Sequence, residues 1–428
     1  MYNILPNIFS KTLYKKILLT KYIRLFRYMN LNPKYFLSLL VFCLYFIVSQ
    51  AQNTPYLDPI YNEITTSTEN YSDVYTDAFH TMDIYQPKVD TNAKRPLIIY
   101  IHGGAFYAGD KATPDCVDFC TNFAQKGYVA VSVNYRLANP LLFLANRSIQ
   151  LDAVLKTMAD VKSAIRYFTK DAATSNLYKI DSTAVFVGGY SAGAVAALHT
   201  AWVTDTSELD QELISIMKSG IKTFEGDAGN DGYGHKIKGI FSLAGALFQT
   251  NYVNYGDVPA YLAHAKDDGT VSYECAPGLN DPRVVTLCGT GKIYPRLDSL
   301  NIYFDTMVLE TGGHGWPGLG NNSSDFKNAV DEIATFFYPL LLDNVRLNAS
   351  QAQKSPIQLY PNPSNGSCTF QLPSDQKSVE IRIYNLHAQL QFATTITETT
   401  SLKLPLQSGL YKVVITGKHA QTETLVIE

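Results

Sequence analysis

Gly189-Tyr190-Ser191-Ala192-Gly193 sets a serine between two glycines, a spacing suited to nucleophilic chemistry. A serine on a tight strand-to-helix turn takes a strained backbone conformation and needs small neighbours, which Gly189 and Gly193 supply. The apolar run Ala184–Val187 before it reads as a strand, and the small residues Ala194–Ala197 after it as a helix. Such a helix start turns free N–H groups toward an anion. A hydroxyl is a weak nucleophile, so a base and an orienting carboxylate must accompany it.

His314, in Gly312-Gly313-His314-Gly315-Trp316, stands on a loop after a predicted strand and is the candidate base. His235, His264, His387 and His419 lack that setting, and His199, inside the helix after Ser191, reads as a packed or surface histidine. In the order serine, acid, histidine, the carboxylate comes from Asp267 or Asp268, which follow the predicted strand Pro259–Ala263. Spacing alone does not choose between these neighbours. His102-Gly103-Gly104-Ala105-Phe106 leaves the strand Leu97–Ile101, and its bare backbone can turn N–H groups inward beside that of Ala192. Together they would hold the oxyanion of a tetrahedral intermediate. Phe106, Tyr107, Tyr190 and Trp316 are aromatic candidates for an acyl or alcohol pocket, with padding beside the sheet as the alternative.

The elements that must position these residues alternate between the two periods. Continuous apolar runs at 97–101, 128–133, 184–187, 237–243, 259–263 and 306–309 read as strands buried on both faces. Residues 116–125, 151–168 and 329–342 have helical length and spacing. The expected fold is α/β, a mostly parallel central sheet with helices on both faces. Reactive groups then gather beyond the carboxyl ends of the strands.

Several stretches resemble the α/β-hydrolase superfamily, in particular secreted carboxylesterases of the hormone-sensitive-lipase and feruloyl-esterase-like groups. They are H-G-G-A-F at 102–106, V-N-Y-R at 133–136, A-I-R-Y at 164–167, G-Y-S-A-G at 189–193, H-A-K-D-D-G-T-V at 264–271 and G-G-H-G at 312–315. The resemblance spans Thr81 to Leu342. It implies the α/β-hydrolase fold, Asp268 as the acid with Asp267 second, and hole donors at Gly103, Gly104 and Ala105. Ala265 and Ser272 depart from the family's usual Gly and Pro. The implied activity is hydrolysis of carboxylic esters through an acyl-enzyme, on plant-polymer acyl groups or lipids, with no cofactor. A serine peptidase and a catalytically silent binding protein on the same scaffold are the alternatives.

Composition sets the outer limits. The chain has 428 residues, 46% hydrophobic and 17% charged, with formal net charge −3, which excludes wholesale disorder and argues against a duplex nucleic-acid binder. The apolar run 35–48 after Lys34 reads as a secretory signal cleaved after Ala51; it is shorter than the roughly 20 residues of a spanning helix. Met29 stands where such a signal would begin, and no stable membrane span is expected once it is removed. Of the 6 cysteines, Cys43 would leave with the signal, and in an oxidising compartment Cys275 and Cys288 are expected to bridge locally. The pairing of Cys116 and Cys120 stays open, and nothing has zinc-site spacing. Glu225–His235, Gly-rich and acidic, reads as a surface loop, with a substrate rim or a cation site as alternatives.

The expected organisation is an N-terminal extension and signal over 1–51, a catalytic domain over 52–342, a linker over 343–355 and a small all-β module over 356–428. Tyr360-Pro361-Asn362-Pro363, Gly366 and Ser408-Gly409-Leu410-Tyr411 closely resemble the C-terminal sorting domain of the type IX secretion system. That resemblance implies the type IX machinery as a partner, and release or surface attachment outside the cell. A polysaccharide-binding β-sandwich is the alternative for the module.

Overall fold

In the computed structural model of the chain, residues 54–347, 357–372, 378–385, 390–416 and 421–427 are described. The signal-peptide reading, Cys43 and most of the expected linker lie outside them. All of the architecture below belongs to the unit Pro55–Glu428.

The N-terminal elements run β1 (Ile64–Asn70), β2 (Thr81–Pro87), β3 (Arg95–Ile101), α1 (Pro114–Gln125), β4 (Val129–Val133), α2 (Pro140–Ala145), α3 (Arg147–Ala173), β5 (Ile180–Tyr190) and α4 (Ala192–Trp202). Then come α5 (Gln211–Ser219), β6 (Gly239–Leu243), β7 (Ala246–Leu247), β8 (Ala260–Ala265), β9 (Cys275–Pro277), β10 (Thr286–Gly289), α6 (Thr290–Ser299), β11 (Phe304–Leu309) and α7 (Ser324–Leu347). An 8-stranded sheet takes the order β1-β2-β4-β3-β5-β6-β8-β11. From β4 to β11 the pairings are parallel, and β1 and β2 add an antiparallel edge.

Period two explains the layering. Along β3, Leu97, Ile99 and Ile101 enter one core, and Ile98 and Tyr100 the other. Along β5, Val185 and Val187 alternate likewise with Ala184 and Phe186. Helices α3 and α4 cover the first face through Val154, Met158, Val161, Val195 and Leu198. Helices α1 and α7 cover the second through Phe119, Phe123, Val330 and Phe337, with Phe186 stacked on Phe337 at 4.1 Å. Asn146 starts α3 by accepting the N–H of Ser148, and Pro114 opens α1, where a missing N–H costs nothing. The first residues of the expected linker continue helix α7 through Leu347.

The C-terminal part contains β12 (Gln358–Tyr360), β13 (Ser367–Gln371), β14 (Val379–Asn385), β15 (Leu390–Ile396), β16 (Thr400–Lys403), β17 (Gly409–Thr416) and β18 (Gln421–Ile427). They pair antiparallel in two sheets, β12-β13-β16 and β15-β14-β17-β18. Phe370, Ile381, Ile383, Val413, Ile415 and Leu425 form their shared core.

Candidate active site

Strand β5 ends at Tyr190 and α4 begins at Ala192, so Ser191 alone makes the turn, with φ 55° and ψ −120°. That conformation costs a non-glycine residue about 1–3 kcal/mol. The glycines answer to one backbone group: a Cβ at Gly189 or Gly193 would lie 2.2 or 2.0 Å from the carbonyl oxygen of Ile101, where β3 ends. The N–H of Ser191 donates to the Leu243 carbonyl at 2.9 Å. The serine is thus wedged among three neighbouring strand ends.

His314 Nε2 lies 2.8 Å from Ser191 Oγ, and His314 Nδ1 lies 2.7 Å from Asp268 Oδ2. An ionised carboxylate only accepts, so Nδ1 carries the proton and Nε2 is free to accept the hydroxyl's. Asp268 Oδ1 also accepts the N–H groups of Thr270 and Val271, at 2.8 and 2.9 Å. Burial alone would raise the pKa of Asp268. Hydrogen bonds from His264, His314 and the Val271 N–H outweigh it and hold the carboxyl well below the usual carboxylate range. Asp267 acts on the backbone instead. Its Oδ1 accepts the N–H groups of Gly312 and Gly313, at 2.9 and 2.8 Å, pinning the loop that carries His314.

His264, set aside on sequence grounds, is wholly buried with Nε2 3.3 Å from Asp268 Oδ2 and 2.9 Å from the Val271 carbonyl. Its place four residues before Asp268, at the end of β8, was the available signal.

The loop after β3 folds back on itself. Gly104 has φ +117°, and Ala105 and Phe106 are also left-handed at 52° and 63°. A Cβ on Gly104 would meet the Ala108 carbonyl at 2.0 Å, and one on Gly103 would meet Ser191 Cβ at 3.3 Å. His102 stacks on Tyr135 at 4.3 Å, and the Tyr135 hydroxyl donates to the His102 carbonyl at 3.1 Å. Among the described residues no backbone acceptor takes the N–H of Gly104, Ala105 or Ala192.

An apolar cavity of about 40 Å³ opens beside Ser191, lined by Ala105, Phe106, Ala192 and residues of α2, α3, α4 and the segment 271–287. Phe106 lies on it. Tyr190 and Trp316 do not; they take the alternative of padding beside the sheet. The Tyr190 hydroxyl donates to the His314 carbonyl at 3.0 Å and its ring packs against the imidazole. Trp316 is 4% exposed and packs into the core on the α1 and α7 face. Tyr190 is the last residue of β5, and Trp316 follows the glycine-rich loop 312–315. Tyr107 packs edge-on against Phe143.

Cys275 and Cys288 form a disulfide between the paired strands β9 and β10, and Cys116, Cys120 and Cys368 are free and buried. In the loop 225–235, Asp227 pairs with Arg136 at 2.8 Å, and the loop borders a cavity of about 530 Å³ that shares no lining residue with the one at Ser191. Among the described residues no group of three potential ligands could hold a metal ion, and no helix is long and apolar enough to cross a membrane.

Residues 82–237 match the BD-FAE family, and residues 358–428 match the secretion system C-terminal sorting domain. Among curated relatives, tuliposide B-converting enzyme 1 of Tulipa gesneriana is 39% identical over 88 residues, which is 20% of this chain and 20% of that protein. The cAMP-regulated D2 protein of Dictyostelium discoideum is 44% identical over 57 residues, 13% and 10% of the two chains. The chain thus spans about a fifth or less of these two relatives. Among solved structures, a truncated carbohydrate esterase from gut microbiota aligns with 67% of this chain and 99% of its own, at 20% identity and TM-score 0.47. Esterase 2 of Thermogutta terrifontis aligns with 68% and 97%, at 17% identity and TM-score 0.45. The chain therefore joins a BD-FAE domain, of the esterase-like α/β-hydrolases, to a type IX C-terminal sorting domain, and belongs among secreted or cell-surface proteins.

Proposed function

We propose that the protein is an exported serine carboxylesterase with Ser191 as nucleophile, His314 as general base and acid, and Asp268 as the orienting carboxylate. The observation that carries this reading is the unbroken run of contacts from Asp268 through His314 to Ser191, at 2.7 and 2.8 Å. Ser191 Oγ attacks the ester carbonyl carbon while its proton passes to His314 Nε2. The carbonyl oxygen becomes an oxyanion, held by the N–H groups of Gly104, Ala105 and Ala192 beside Gly103. Each such donor is worth about 2.7–4 kcal/mol in the transition state. The bond to the alcohol oxygen then breaks, His314 returns the proton to that oxygen, and the alcohol departs. Water, deprotonated by the same imidazole, attacks the acyl-enzyme and restores the serine. Asp268 keeps the imidazole in the reactive tautomer and stabilises its charged form.

The match to the BD-FAE family supports ester over amide substrates, either acyl groups on plant polymers or lipids. The sorting domain supports handling by the type IX machinery on the way out. Turnover of p-nitrophenyl acetate by the full chain tests the chemistry: it should fall at least about 100-fold in His314→Ala, as for such triads generally. Cleavage of peptide amides without ester turnover would assign the site to a peptidase.

A further inference from the structure

The cavity at Ser191 has a polar anchor that the proposed reaction leaves unused. Gln150, 1% exposed on α3, contributes to the cavity wall. Its amide bonds to backbone groups of the wall. Nε2 donates to the Phe143 carbonyl at 2.8 Å and to the Arg283 carbonyl at 3.0 Å, and Oε1 accepts the Val285 N–H at 2.9 Å. These bonds tie α2, through Phe143, to the segment that the Cys275–Cys288 disulfide closes. Leu279, Val284 and Leu287 of that segment line the cavity together with Phe143. Leu279 is held left-handed at φ 60°, and its N–H donates to the Thr270 carbonyl at 2.7 Å. The wall is therefore a tied loop.

Its side of the site is also defined. The leaving alcohol must reach His314 Nε2, and His314 is absent from the cavity lining, whereas Ala105 and Ala192 are part of it. The cavity consequently receives the acyl chain. At about 10–15 Å³ for each water-sized group, its volume of about 40 Å³ holds roughly three such groups.

We propose that Gln150 and the disulfide-closed loop are the specificity-determining wall of the acyl site, limiting it to acyl groups of acetyl to butyryl size and excluding octanoyl and feruloyl groups. This rests on the esterase reading of Ser191. Gln150 is a positioning residue, acting through the loop and α2. The test compares kcat/KM of the full chain on p-nitrophenyl acetate, butyrate and octanoate and on methyl ferulate. Octanoate and ferulate should fall below acetate by on the order of 10-fold or more, the size of methylene-scale discrimination in apolar pockets.

Gln150→Ala should narrow the octanoate gap at least about 10-fold, chiefly through KM. Gln150→Glu keeps the size but sets a buried carboxylate oxygen against two carbonyls, and should narrow the gap as well. If Gln150→Ala does not fold, Leu279→Ala shortens the same wall and should narrow the gap likewise. Acetate turnover with a flat chain-length profile, or a profile unmoved by folded variants, overturns the proposal and leaves the esterase reading standing. No turnover of any ester, with no labelling of Ser191 by a fluorophosphonate, overturns both.

Discussion

The serine turn and the histidine loop meet at one hydrogen bond, yet opposite physics holds them. Ser191 is fixed by excluded volume: Gly189 and Gly193 lie so close to the Ile101 carbonyl that a single added carbon cannot fit. His314 is fixed by charge: Asp268 orients its ring, and Asp267 anchors its loop through two backbone N–H groups. Behind the serine, His199 is wholly buried between the Val195 carbonyl and the Phe248 N–H, and burial lowers its pKa to about 4. Behind the histidine stands a carboxylate kept ionised by its donors. A nucleophile needs one invariant position, which packing delivers. A base must gain and lose a proton in every cycle, which a neighbouring charge can balance.

The largest effect should come from breaking the steric half. Gly193→Ala would place Cβ 2.0 Å from the Ile101 oxygen and 2.7 Å from that of His102. Crowding of this kind costs about 1–3 kcal/mol or more, and here it displaces both the serine and the oxyanion loop. Loss of all measurable esterase activity, with a lowered melting temperature, is the expected outcome. Next comes the charged half. Asp268→Asn should cut kcat by at least about 100-fold, by favouring the wrong tautomer. An active Asp268→Asn beside an inactive Asp267→Asn would reassign the orienting acid.

Asp267→Ala should be milder, about 10-fold in kcat, because it frees the loop without removing the ring's partner. Measuring both aspartate variants on one substrate separates orientation from anchoring.

The last effect is on stability and leaves the reacting groups untouched. The folded pKa of His199 lies below its ordinary value of 6.5, so the unfolded chain binds that proton first. Stability present above pH 6.5 is therefore lost as the pH falls toward 4, by roughly 3 kcal/mol from this group. Denaturant unfolding of the full chain and of His199→Gln across that range should give a shallower slope for the variant.

The same contrast explains what the sequence made legible. Glycine flanking a serine after an apolar strand is a local steric signature, so Ser191 and the sheet around it could be read directly. His314 was legible because a glycine-rich loop follows an apolar strand, although that strand, β11, is the half-buried edge of the sheet. The choice between Asp267 and Asp268 depends on which way two adjacent carboxylates point, which spacing does not encode. The acyl wall was invisible, because Gln150, Leu279 and Val284 are ordinary residue types that only tertiary folding brings together. Strand β1 escaped because Thr65–Thr68 at the sheet edge are exposed and show no alternation. Tyr190 and Trp316 stayed open between pocket and padding because aromatics beside a catalytic loop suit a pocket as well as a core.

The central claim, an activated serine at position 191, is tested most directly by mass spectrometry of the intact chain after treatment with a fluorophosphonate. One adduct should form, map to the peptide bearing Ser191, and vanish in both Ser191→Ala and His314→Ala. An unlabelled wild-type chain, or label at another residue, would contradict the account.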